Sequence, residues 1–439
     1  MSNSPNPSRS QIQVLVPFLF GAGIMLSPDT LVMAGGFYGN TGMIGTLAVA
    51  AAGLSYLLFL PQYVDTFSPV LKQGQGTGKP ERPMQSFLMI FSLTVKIAAV
   101  LFLATGMLVS SGFIFNEVFV YWFPNFGFAF LLLFVLAGFQ FLSQNTVIRL
   151  QLSFVGIVIS GLLILIIAGF FSLPDPTRMT VSGTAFSPNN PVDMVFIPLL
   201  IFIGLDMGMN LFDRKKETTK LQLAVSVGLV LLLIAAWGIV ALKFVPMERL
   251  SQTTISHIIV SRSILGNTGR IIMGVIVIAG TLAAVNALFT SIKMQLAGII
   301  EAGGEASGLA RVAPTAGIGV IGISIAVLMA GGLAGYTVLE TLIRGALIFW
   351  LSFYALISLV HLKRVTAASV DNGLKYSLKI IKNIIPAMVF LSGIIMLVLT
   401  NDESIALITF SAILFGITLI GWLTIRLKQQ TIKLKEEEL

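Results

Sequence analysis

The stretch Phe18-Leu19-Phe20-Gly21-Ala22-Gly23-Ile24-Met25-Leu26-Ser27-Pro28 lies inside an apolar run of membrane-spanning length, yet it places two glycines and a proline within eight residues. A helix interrupted there would bare backbone N–H groups in the middle of a bilayer. Irregular backbone at that depth is tolerated only where protein buries it or where it lines a cavity. The stretch therefore reads as a deliberate break of the first span at Gly21-Ala22-Gly23, placed to hold a ligand.

The composition fits that setting. Of 439 residues, 56% are hydrophobic and 10% charged, against a usual charged share of about a quarter. Apolar runs of about 20 residues are long enough to cross a bilayer as helices. Twelve such runs fall near 12–37, 42–63, 86–113, 126–143, 147–172, 193–212, 221–244, 270–299, 314–334, 337–360, 380–400 and 404–425. The fold class is an all-α polytopic membrane protein. Two connections, Gln144 to Thr146 and Leu333 to Tyr336, are very short, which leaves the division of spans four from five and nine from ten open.

Charge placement gives an independent check. With both termini on one side, that side carries twenty of the 27 basic residues, among them Arg149, Arg214, Lys215, Lys216, Lys220, Lys293, Lys363 and Arg364. The opposite side carries five, Arg178, Lys243, Arg249, Arg262 and Arg270, and Lys96 and Arg344 remain inside spans. Lys/Arg excess marks the cytoplasmic face, so both termini are expected inside a cell (inner) membrane. The net charge of +8 is then a matter of topology, and no nucleic-acid partner is expected.

Other classes lack their residues. There is no cysteine, which removes disulfides and thiol chemistry, and two histidines, His257 and His361, without an H-E-x-x-H pattern. No nucleophile–base constellation stands out, so the chain is not read as an enzyme, and no resident cofactor is expected. Residues 1–10 are polar and show no signal-peptide core.

A second irregular point matches the first. Phe202-Ile203-Gly204-Leu205-Asp206-Met207-Gly208-Met209 again puts two glycines mid-span, now with an ionisable residue between them. Interrupted helices at corresponding positions of two halves are the best sequence pointer to a transporter site. The first run opens one block of five spans and the sixth opens another, and an odd repeat of five inverts the second copy. This divides the chain into a tail (1–11), a first repeat (12–172), an external loop (173–192), a second repeat (193–365), two peripheral helices (366–425) and a cytoplasmic tail (426–439) that continues the last helix.

The chemistry of such breaks follows from helix ends. The N-terminus of an outer half-helix offers N–H groups and a positive dipole end to a carboxylate. Freed carbonyls around Phe202 and Ile203 offer acceptors to an ammonium. A zwitterionic amino acid fits between two such breaks. The competing reading is that these glycines serve only close helix packing, as small residues do in membranes.

Gly21-Ala22-Gly23-Ile24-Met25-x-x-Pro28 followed by Ala34-Gly35-Gly36 resembles the first-helix motif of the amino acid–polyamine–organocation (APC) superfamily, G-S-G-[IV]-F-x-x-P. Phe202-Ile203-Gly204-Leu205-Asp206, with Asp213 and Arg214-Lys215-Lys216 beyond it, is similar to that family's F-x-G-[FV]-[ED] segment. Asn286-Ala287 ahead of Gly303, and Glu340-Thr341-Leu342 running to Leu362-Lys363-Arg364, resemble its eighth and tenth spans. The basic ending of the sixth span is reduced, and Met294 and Ala302 stand where the eighth-span arginine and acid are expected. The resemblance implies a LeuT-like fold of two inverted five-helix repeats with discontinuous helices 1 and 6. It implies that Gly21, Ala22 and Gly23 bind a substrate carboxylate and that Phe202, Ile203 and Leu205 hold its amine through backbone oxygens, with Ile24, Gly204 and Asp206 also lining the substrate site.

Further residues carry coupling or gating expectations. Asp206 and Lys96 are costly inside a membrane. Asp206 can meet a substrate amine, carry a proton, gate, or cap unwound backbone. Lys96 can replace a coupling cation, meet a substrate carboxylate, or pair with Asp206 or Asp29. Thr290 and Ser291, with backbone of the first span, can hold a sodium ion as they do in sodium-coupled relatives of this fold, or bond a carbonyl one turn back. No lysine stands near Ser160-Gly161, where proton-coupled relatives place one, which favours sodium coupling or uncoupled exchange over H+. Glu340 and Arg344 are spaced for an intrahelical pair, and Asp29 reads as a vestibule acid or a first-turn acid. The four tryptophans, Trp122, Trp237, Trp350 and Trp422, suit interfacial anchoring.

The function expected is a secondary transporter, symporter or exchanger, for amino-acid-like small molecules, monomeric or homodimeric in the lipid bilayer. The alternative is a transport-inactive sensor or accessory subunit with the same fold.

Overall fold

The computed structural model describes residues 15–72, 83–173, 191–209, 216–302, 308–333, 337–368, 374–400 and 403–437. Among them the structure is all helical, with no strand. The expected tail 1–11, the body of the external loop and Asp213 to Lys215 lie outside the described residues.

The first span is two helices, α1 (Val16–Met25) and α2 (Pro28–Thr41), bent by 50°. The cause is Pro28, which lacks an N–H and disfavours helical backbone in the residue before it. Ser27 accordingly turns extended (φ −64°, ψ 159°), and its Oγ accepts the Thr30 N–H at 3.4 Å. The break thus falls at Leu26-Ser27. This corrects the expected position, because Gly21-Ala22-Gly23 lies in the regular interior of α1. The proline, not the glycine pair, sets the interruption.

Helix α3 (Ile44–Lys72) follows a turn at Gly42, and α4 (Pro83–Val118), α5 (Asn125–Phe139) and α6 (Gln144–Phe171) follow. The first short connection does separate two helices: Ser143 caps α6, accepting the Thr146 N–H at 3.3 Å. At the other end of α6, Lys243 Nζ donates to the carbonyls of Gly169, Phe170 and Ser172 at 2.8–3.0 Å, a cation satisfying a helix C-terminus. Next come α7 (Pro191–Ile201), the turns of Phe202–Met209, α8 (Lys216–Phe244), α9 (Met247–Ser251), α10 (Ser256–Ala302), α11 (Gly308–Ala330), α12 (Thr337–Ala368), α13 (Leu374–Thr400) and α14 (Ser404–Glu437). The second short connection likewise separates two helices, α11 and α12.

Nine of the described helices are long and apolar enough to cross a membrane, and the bent α1–α2 pair makes a tenth span. The chain is a multi-pass integral membrane protein. Helix α5 is shorter, and α7 continues into the unwound run.

Two expectations need correction. The eighth helix begins earlier than the run near 270–299: α9 and the first turns of α10, kinked at Leu265-Gly266, precede it. This segment packs on the glycine face of α2: a β-carbon on Gly39 would sit 2.4 Å from the Ser251 nitrogen, and one on Gly35 would overlap the Ser256 hydroxyl. Trp122 is exposed and Trp422 half-buried, as anchors would be, but Trp237 and Trp350 are fully buried, because α8 and α12 turn those positions into the core.

Candidate functional site

The sixth-run interruption is where expected. From Phe202 the helix gives way to successive tight turns, in which Ile203, Met207 and Met209 donate to Leu200, Gly204 and Asp206. Gly204 holds φ +90°, a left-handed conformation that only glycine adopts readily. The Phe202, Ile203 and Leu205 carbonyls stand outside these turns.

The run lies directly on α1. A β-carbon on Gly21 would come within 2.9 Å of the Leu205 carbonyl oxygen, one on Gly204 within 2.4 Å of Ile24, and one on Gly208 within 2.5 Å of Pro17. Gly21 and Gly208 therefore let the two backbones meet, and Gly204 makes room for the Ile24 side chain. Close packing, one of the two readings of the sequence, is what the geometry displays for Gly21, Gly204 and Gly208.

Asp206 is fully buried at the centre of a polar group drawn from four helices or turns. Tyr63 Oη (α3) donates to its Oδ2 at 2.9 Å and Tyr354 Oη (α12) to its Oδ1 at 2.7 Å. Tyr354 Oη also accepts the Gly204 N–H at 3.3 Å, and Tyr56 Oη donates to the Leu199 carbonyl at the end of α7 at 2.9 Å. Around them Phe59, Phe202 and Phe390 pack as edge-to-face or tilted rings with centroids 5.0–6.3 Å from these tyrosines. Lys96 (α4) stands 3.8 Å from Asp206 Oδ2 and is 1% exposed, so of its expected roles the pairing with Asp206 is present, without a hydrogen bond.

A second polar group braces the other face of α1. Gln151 Nε2 (α6) donates to the Leu19 and Ala283 carbonyls at 3.3 and 3.1 Å, joining α1 to α10. Its Oε1 accepts Asn286 Nδ2 at 2.8 Å, and Asn286 Oδ1 accepts Gln140 Nε2 at 3.2 Å. The Gln140 carbonyl in turn accepts Lys293 Nζ. Gly23 makes this possible, since its β-carbon would lie 2.5 Å from Gln151 Nε2.

The remaining expected residues separate from these two groups. Thr290 and Ser291 are buried on α10, and their hydroxyls make no hydrogen bond among the described residues. Glu340 and Arg344 form the intrahelical ion pair the spacing suggested, on an exposed face of α12. Asp29 occupies the first turn of α2, where the helix dipole favours an acid.

Sequence reading missed Tyr56, Tyr63 and Tyr354, and also Gln140 and Gln151. A signal was present for each. The chain has only seven tyrosines, and a buried tyrosine must find a partner for its hydroxyl. Carboxamides within or next to apolar spans are similarly conspicuous.

No protein-family model matches the chain. It is 30% identical over 159 residues to the inner membrane transport protein YbaT of Escherichia coli (strain K12), a match that spans 35% of this chain and 36% of that protein's length. The fold is similar to that of a crystal structure of the Eremococcus coleocola manganese transporter in complex with an aromatic bis-isothiourea compound. The TM-score is 0.59 at 12% identity, over 98% of this chain and 97% of that one. A single-residue variant of the same transporter gives 0.58 over the same shares at 12% identity. The chain shares the fold of that solved protein.

Proposed function

We propose that the chain is a secondary active transporter, a symporter or exchanger, that moves amino acids or related amines by alternating access. The observation that carries this reading is the unwound run Phe202–Met209 laid against a first span that is itself broken. An unwound run packed against a span that is itself broken gives backbone acceptors where a bilayer otherwise allows none. The Phe202, Ile203 and Leu205 carbonyls are suited to an ammonium, with the Asp206 carboxylate beside them. The partial likeness to an inner membrane transport protein supports the same reading.

The architecture goes with it: twelve spans as two inverted five-helix repeats, α1–α6 and α7–α12, plus α13 and α14, with both termini cytoplasmic. In this reading the first repeat opens on the bent α1–α2 pair and the second on α7 with the unwound run after it. Thr290 and Ser291 are the proposed sodium ligands, with α1 backbone. Neither hydroxyl makes the bond to a carbonyl one turn back that Ser55, Thr94 and Thr105 make.

A metal cargo fits less well. Among the described residues no three His, Asp or Glu side chains gather into a metal-binding group. The one carboxylate of the unwound run has an ammonium 3.8 Å away, which disfavours a divalent cation.

The test is ligand binding by the purified full-length protein, read as thermal stabilisation against a panel of amino acids, amines and divalent cations. Stabilisation by amino acids or amines is expected. Stabilisation by divalent cations alone would replace this reading with metal transport.

A further inference from the structure

We propose that Lys96 is the anchor of the substrate's carboxylate, so that the cargo is a zwitterionic α-amino acid and not an amine lacking a carboxylate. This rests on the transporter reading above and narrows it.

The first step is a count of donors. A carboxylate held in the first-span break needs free N–H groups there. Those of Gly21, Ala22 and Gly23 are interior to α1 and committed to carbonyls one turn back. At the break itself, Ser27 N–H bonds the Ile24 carbonyl, Pro28 has none, Thr30 N–H is capped by Ser27 Oγ, and Leu31 N–H bonds the Ser27 carbonyl. The Asp29 N–H is left, on a residue whose own carboxylate already occupies the positive end of α2. An incoming anion would have to displace that carboxyl group from the helix end.

Lys96 is the opposite case. It is 1% exposed and its ammonium carries three donors, none in a hydrogen bond among the described residues. Its nearest anion, Asp206 Oδ2, is at 3.8 Å, beyond hydrogen-bond length, and both Asp206 oxygens already accept from tyrosines. A buried ammonium left so is costly, and Coulomb attraction at that distance offsets only part of the cost. A carboxylate that accepts one or two of those donors offsets much of the rest. Asp206 belongs to the same unwound run that presents the Phe202, Ile203 and Leu205 carbonyls. The cation and the ammonium acceptors therefore flank one stretch of backbone, and an α-amino acid, whose two charged groups share one carbon, bridges them.

A purely structural Lys96–Asp206 pair is the rival, and a charge-neutral double variant separates the two. Full-length wild type, Asp206→Asn and Lys96→Met/Asp206→Asn are titrated with the twenty protein amino acids and with the corresponding amino-acid amides. Wild type and Asp206→Asn, which both keep the ammonium, are expected to prefer acid over amide. The double variant is expected to lose that preference, with the acid bound on the order of a hundredfold more weakly. Retention of the preference in a monodisperse double variant overturns the proposal, as does its loss in Asp206→Asn. Should the double variant not fold, the other two proteins decide: equal binding of acids and amides by wild type overturns the Lys96 assignment while leaving the transporter reading intact. Binding of neither removes both.

Discussion

Tyr354 donates its hydroxyl to Asp206 at 2.7 Å and accepts the Gly204 N–H at 3.3 Å, so one side chain of α12 holds both the carboxylate and the left-handed turn of the unwound run. In a site closed to water, a polar group stripped of its partner costs more than the bond itself was worth. Tyr354→Phe leaves Asp206 Oδ1 and the Gly204 N–H unpaired together. The expected loss is about 2–4 kcal/mol of stability, taking about 1–2 for each orphaned group. Denaturant unfolding in detergent measures it, and a loss below that of Tyr56→Phe would show that Tyr354 does not organise the run.

Gly21 separates backbone packing from side-chain packing. Its absent β-carbon faces the Leu205 carbonyl at 2.9 Å, whereas that of Gly36 meets nothing within 4 Å. Backbone cannot swing aside as a side-chain tip can. Gly21→Ala should therefore lower the melting temperature and abolish substrate binding. Gly36→Ala should be neutral or slightly stabilising, by about 0.5–1 kcal/mol, as expected for glycine to alanine inside a helix. Equal behaviour of the two variants would mean that α1 and the unwound run are not in the contact described.

Gly204 fails for a second reason. Alanine there meets Ile24 at 2.4 Å and must also adopt φ +90°, which costs about 1–2 kcal/mol for an L-residue. Trimming Ile24 to alanine removes the 2.4 Å contact and leaves its β-carbon at 3.0 Å together with the backbone cost. Ile24→Ala should thus rescue Gly204→Ala only partly in a double-mutant cycle, and complete rescue would assign the glycine to packing alone.

The carboxamide chain predicts coupling between α1, α6 and α10. Gln151→Leu deprives the Leu19 and Ala283 carbonyls and Asn286 Nδ2 of a partner at once. It should cost about 1–3 kcal/mol. Adding Asn286→Leu should cost much less than it does alone, because the partners are already lost. Additive losses would contradict a connected network.

Much of this was legible in the sequence. The positions of the apolar runs and the interruption at Gly204 are carried by hydropathy and by a residue type that tolerates positive φ. The first break was read three residues too early, because glycines signal permission to leave a helix while Pro28 imposes it. What stayed hidden was long-range: nothing local to Tyr63 or Tyr354 says that they meet on Asp206, which lies 143 residues from the one and 148 from the other. Gln151 was hidden for the same reason. Its partners on α1 and α10 are each 132 residues away, and only the packed bundle brings them within reach of one amide.

Coupling is tested at Thr290 and Ser291. If they help to hold sodium, sodium chloride should stabilise the wild-type protein beyond potassium chloride at equal ionic strength, and Ser291→Ala should remove the difference. A sodium effect unchanged in Ser291→Ala would place the ion elsewhere.

The most direct measurement of the central claim is counterflow in proteoliposomes. Vesicles containing the purified full-length chain are loaded with one unlabelled amino acid at a time and exposed to the labelled form, with sodium, proton or exchange gradients imposed in turn. The account predicts saturable accumulation of at least one zwitterionic amino acid, lost in Gly21→Ala. Absence of flux for every amino acid under every gradient, from a protein shown to be folded, would contradict it.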